Sequence, residues 1–89
     1  MSANTFNSTY ISTNTDTVVK TGRGKLHTIT IGETAAGAIT VYDSTTASGT
    51  VLAVLKSSIA EQTLTFDLCF TVGLTITTAA ASKLTVTFE

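Results

Sequence analysis

The chain has 89 residues, a formal net charge of −1, 43% hydrophobic residues and only 12% charged residues. That length allows one small domain, and the near-neutral balance excludes the basic face that electrostatic binding of nucleic acid requires. One cysteine, Cys69, excludes an internal disulfide, and His27 is the lone histidine, so no metal-ligand cluster can be read and no cofactor is expected.

A chain of this size buries only about 60–65% of the surface its unfolded form exposes, so its margin of stability is thin. Small domains lean on disulfides, metals, idealised packing or assembly. Assembly is the prop left here, and the charged fraction, half the usual value of about 25%, agrees. With so few charges, part of the surface is expected to be covered by another subunit. Roughly a quarter of the residues are Thr, a β-branched strand former, and Pro is absent. The start, Met1-Ser2-Ala3-Asn4-Thr5, lacks a basic and apolar leader, and no apolar run approaches the roughly 20 residues of a membrane span. The reading is a protein made or assembled in a cytoplasm, with no membrane partner. The unpaired cysteine suits that compartment.

In chain order, residues 1–15 are polar, with Phe6, Tyr10 and Ile11 as the large apolar groups. The segment reads either as a loose tail or as an arm that buries Phe6 and Tyr10 on a neighbouring subunit. The aromatics favour the arm, because a solvated tail does not need them. Residues 16–89 then form a single domain. Thr17 to Lys20 is a short strand, Thr21-Gly22-Arg23-Gly24 a turn, and Lys25 to Ile31 the next strand. There Ile29 and Ile31 share a face with His27, while Leu26 falls on the other. Either His27 is half-buried and hydrogen-bonded, or a bulge shifts the register beside it.

The hairpin from Gly37 to Leu55 organises the rest. Ile39 and Val41 alternate with Thr40 and Tyr42, the Asp43–Gly49 stretch turns the chain, and Val51 to Leu55 is a continuous apolar run expected to be covered on both faces. Residues 56–62 are a polar connection. Thr63 to Phe70 alternates most clearly, with Leu64, Phe66, Leu68 and Phe70 inward and Cys69 outward. Gly73 to Thr78 and Lys83 to Glu89 repeat the pattern, with Leu74, Ile76, Leu84, Val86 and Phe88 inward. The fold expected is all-β: an antiparallel β-sandwich or jelly-roll-like barrel of about seven to eight short strands.

No two acids share a strand face at a spacing that suits acid–base work, and no nucleophile elbow or Cys/His arrangement is present. The expectation is a protein that is not an enzyme. Gly22-Arg23-Gly24-Lys25 lacks the length and following helix of a phosphate loop, and reads as a turn with two cations for an acidic patch on a partner. The candidate partner-binding residues are therefore Phe6, Tyr10, Ile11, Arg23, Lys25 and Tyr42, with Tyr10 and Tyr42 as the aromatics that a sugar would stack on. The Thr-x-Thr steps, such as Thr28-Ile29-Thr30 and Thr75-Ile76-Thr77, read as an uncharged soluble sheet face. They show no fixed period of the kind an ice-matching lattice has.

The run VVKTGRGKLHTITI, from Val18 to Ile31, followed by GAITVYDSTTASGTVLAVL, resembles a pattern in small virion proteins of tailed bacteriophages. It carries a Val-rich strand, a Lys-Thr-Gly turn, a Leu-His strand and the Ile-Thr-Val-Tyr-Asp hairpin. It continues through Phe70-Thr71-Val72-Gly73-Leu74 and covers Val18 to Phe88. The resemblance implies a β-sandwich component of the virion, assembled in the host cytoplasm. The first form it implies is a capsid decoration (cement) protein, a homotrimer binding the major capsid protein or another virion protein. The alternative is a tail, head-fibre or baseplate module that binds host surface glycans. It carries no catalytic residues.

Overall fold

The computed structural model describes residues 6–89, and the first five residues of the segment read as an arm lie outside the described residues. Eight strands run in order: β1 (Asn7–Ile11), β2 (Asp16–Thr21), β3 (Gly24–Glu33), β4 (Ile39–Asp43), β5 (Thr50–Leu55), β6 (Thr63–Phe70), β7 (Gly73–Thr78) and β8 (Lys83–Phe88). They form two four-stranded sheets with every pair antiparallel, one ordered β1-β8-β3-β6 and the other β2-β7-β4-β5. This is a β-sandwich. Every connection except the β4–β5 hairpin carries the chain from one sheet to the other. The apolar residues of both inner faces therefore meet in one core.

That core holds Leu26, Ile29, Ile31, Ile39, Val41, Phe70, Leu74, Ile76, Leu84, Val86 and Phe88, with Ile11 and Leu55. Leu64 and Phe66 pack against it only partly buried, and Leu68 is half-buried. All three sit on β6, an edge strand, where one flank has no neighbour among the described residues.

Three features depart from what the sequence pattern predicts. Leu26, placed on the outer face by period two, is fully buried. The register slips between Leu26 and Thr28 against both neighbours, so His27 is the residue at which the strand changes face. On β5, Val51 and Val54 are half exposed or more, which corrects the expectation that both faces of this strand are covered. The strand is an edge, and a bulge at Leu52 shifts its pairing with β4. Lastly, Asn7–Ile11 forms a strand of the chain's own sheet. It pairs with β8 along its length, and Ile11 is only 2% exposed. The connection to β2 is tied down by Thr78, whose hydroxyl donates to the Thr13 carbonyl and accepts from the Thr15 amide.

Candidate interaction surfaces

The outer face of the first sheet follows from its registers. Tyr10 faces Thr85, Thr85 faces Thr30 and Thr30 faces Thr63; alongside runs the row Ser8, Thr87, Thr28, Thr65. All eight positions bear a hydroxyl and none a charge. Sheet geometry sets neighbours about 4.8 Å apart across the strands and about 6.7 Å apart along them. Thr28 and Thr87 share a hydrogen bond between Oγ1 atoms at 2.5 Å, and Thr30 and Thr63 one at 3.1 Å. Some hydroxyls thus satisfy one another, while Tyr10, 62% exposed, stands out at the row's end.

The outer face of the second sheet is different. One row reads Val18, Thr75, Tyr42, Val51, and the other Asp16, Thr77, Thr40, Val54. Val18, Val51 and Val54 are 48%, 50% and 61% exposed, and Tyr42 between them is half-buried. Thr75 is fully buried and donates its hydroxyl to the Ser44 carbonyl, so the loop after β4 folds down over this end of the face. Asp16 is the only charge in these two rows.

The charged groups gather near strand ends and bulges. Arg23, Gly24 and Lys25 line an open cleft of about 330 Å³ with Cys69, Phe70, Thr71 and Glu89. Beside it His27 Nδ1 lies 2.7 Å from Asp67 Oδ1, and the Phe6 ring stacks on the imidazole at 4.1 Å and 8°. Asp67 sits at φ 50 on the β6 side of the bulge. The hydrogen bond from His27, and then its charge and that of Lys25, hold the Asp67 carboxyl below its ordinary range against a partly offsetting desolvation. The pair staples β3 to β6 where the ladder is broken. Among the described residues no hydroxyl or thiol joins His27 to make a nucleophile pair, and no group of three or more His, Cys, Asp or Glu is placed to hold a metal ion.

Asp43 does a similar job at the same end of the sandwich. Its carboxylate accepts from the amides of Val72 (2.8 Å), Thr71 (3.0 Å) and Gly73 (3.4 Å) and from the Thr71 hydroxyl (3.2 Å). The Val72 amide chiefly, then those of Thr71 and Gly73, lower its pKa from 3.8 against some desolvation. A carboxyl whose folded pKa is depressed stabilises the fold above the unfolded pKa and loses that contribution as pH falls through the folded value. Asp43→Asn is accordingly expected to lower the melting temperature at neutral pH. The gap from the parent should close as pH falls through 3.8 and below. A gap that stays constant with pH would show that the charge is not what holds the β6–β7 turn.

The six residues singled out from sequence thus do not make one site. Arg23 and Lys25 share the cleft, Tyr42 lies on the second sheet and Tyr10 on the first. Ile11 is in the core of its own chain, which corrects its reading as a partner contact, and Phe6 is engaged with His27. What the geometry defines is a small antiparallel sandwich with two charge-poor faces and charge-lined ends. Comparison of the chain with family models, with curated proteins and with solved structures finds no match.

Proposed function

We propose that the chain is a structural subunit of a phage particle: a capsid decoration (cement) protein that binds the head shell as a homo-oligomer. The observation that carries this reading is the distribution of charge. Of the sixteen positions in the central rows of the two outer faces, Asp16 alone is charged. Faces of that kind suit burial against neighbouring subunits, where charged residues are depleted. The sequence resemblance to small virion proteins points the same way. On this reading the gene belongs to a phage genome, and the test uses heads assembled from that genome with the gene deleted. Adding the purified chain should give saturable binding in cosedimentation and raise the temperature at which the shells open. Heads that neither bind the chain nor gain stability would end the decoration reading.

One observation favours the alternative, a tail, head-fibre or baseplate module that binds host surface glycans. Tyr10 presents an exposed ring at the end of a hydroxyl row, and sugars stack on such rings. On this reading Tyr10→Ala abolishes binding on a glycan array and leaves the fold, followed by circular dichroism, unchanged.

A further inference from the structure

We propose that the free edge of β5 is the surface on which a second copy of this chain docks, strand against strand and antiparallel across a twofold axis. The proposal deepens the self-association in the reading above and rests on it in that respect. Among the described residues four strands are sheet edges: β1, β6, β2 and β5. An edge strand offers unpaired backbone groups, and proteins guard such strands with charges, bulges or shortness. Three of the four are guarded here by a charge or by shortness, whereas a bulge is the one guard on β5. β6 carries Asp67 at a positive φ on its bulge, paired with His27. β2 carries Asp16 and Lys20 and slips register between Val18 and Lys20. β1 is five residues long and polar except for Tyr10 and the buried Ile11.

β5 is the exception. Its sequence, Thr50-Val51-Leu52-Ala53-Val54-Leu55, contains no charge, and Val51 and Val54 are 50% and 61% exposed on it. Its bulge at Leu52 twists the edge but leaves both valines facing solvent. Behind them Tyr42 and Thr40 continue the strip uncharged into the sheet.

The occupant the edge fits is its own copy. Antiparallel pairing about a twofold sets each strand against its own reverse, so an uncharged strand meets no like charge in any register, and the register that sets Val51 opposite Val54 and Leu52 opposite Ala53 gives both valines an apolar neighbour. A charged partner would find nothing on β5 to pair with. The size of the contact sets its strength. Six residues span about 20 Å, and one such strip with its flanking side chains falls short of the roughly 800 Å² per partner of a standard interface. The dimer is therefore reversible in dilute solution, and becomes filled where copies are held close together on a common surface.

The test is sedimentation equilibrium of the purified chain over a wide concentration range, beside Val54→Lys, Val51→Lys and a control, Val72→Lys. Val72 is equally exposed but lies on the β6–β7 turn. The parent should move from the 9.2 kDa monomer to a dimer as concentration rises. Each β5 lysine should weaken that association by about tenfold or more, with circular dichroism unchanged, and Val72→Lys should associate like the parent. Two lysine positions keep the test open if one variant does not fold. A parent that stays monomeric, one that forms a trimer, or β5 lysines that associate normally would each overturn the proposal. The shell-binding assay runs separately: a monomer that still binds heads removes the edge contact and leaves the decoration reading standing.

Discussion

Phe70→Ala is expected to remove a large share of the chain's stability, lowering its melting temperature by roughly 12–40 °C. Phe70 ends β6, is 1% exposed and is the largest of the fully buried side chains. Its ring lies against Gly24 at the start of β3 and forms part of the cleft wall. Truncating a filled Phe site costs about 3–5 kcal/mol. By the usual per-residue average a chain of this length holds only roughly 4–13 kcal/mol, and each kcal/mol moves the midpoint of a domain this size by about 4–8 °C. Phe66→Ala is the internal comparison. Phe66 sits four residues earlier on the same edge strand but is only partly buried, so its loss should cost clearly less. Thermal unfolding followed by circular dichroism reads both. Equal shifts would mean that the β6 end is not closed by Phe70.

These two phenylalanines also mark what alternation could and could not say. Thr63 to Phe70 reads as one face of four apolar residues, but depth along that face depends on which strands flank it. β6 turned out to be an edge, so burial runs from partial at Leu64 to complete at Phe70. The same ignorance of neighbours explains β5, whose apolar run reads as a strand covered on both faces and is an edge with Val51 and Val54 exposed. β1 was hidden for another reason. In Asn7–Ile11 the large ring of Tyr10 points outward and Asn7 and Thr9 share the inward side with Ile11, so no apolar period exists to detect. His27 was the legible irregularity: the misfit of Leu26 with Ile29 and Ile31 required a register change or a bonded histidine, and the molecule has both. Its partners were not legible. Asp67 lies 40 residues away and Phe6 outside the strand pattern, so only the folded chain brings the three together. The hydroxyl rows were visible as Thr-x-Thr steps. Their alignment across four strands needed the pairing registers, which single-strand periodicity does not contain.

Gly24→Ala is expected to destabilise the chain by about 3–5 kcal/mol, well beyond Gly22→Ala two residues earlier in the same turn. The contrast separates two reasons for a glycine. Gly22 sits at φ 91 with open space where a Cβ would go, so alanine there meets only backbone strain, about 1–2 kcal/mol. Gly24 has ordinary backbone angles, but a Cβ would run into the Glu89 carbonyl oxygen, 2.8 Å from the Phe70 ring and 3.0 Å from Lys20 Nζ. The lysine can swing away. The carbonyl cannot, because Glu89 and Lys25 exchange both backbone hydrogen bonds, each 2.9 Å, and that exchange joins the start of β3 to the end of β8. Crowding a packed site costs about 1–3 kcal/mol, and each backbone bond lost adds about 1 kcal/mol. Denaturant midpoints give the two costs, and hydrogen exchange at the Lys25 and Glu89 amides locates the damage. Faster exchange at those two amides in Gly24→Ala, and not in Gly22→Ala, is the expected signature. The reverse order of stabilities would show that the turn conformation, rather than the close approach of β3 and β8, is what the two glycines serve. The same junction frames the Arg23–Lys25 cleft, so a Gly24→Ala chain that still folds should present those cations in a wider opening.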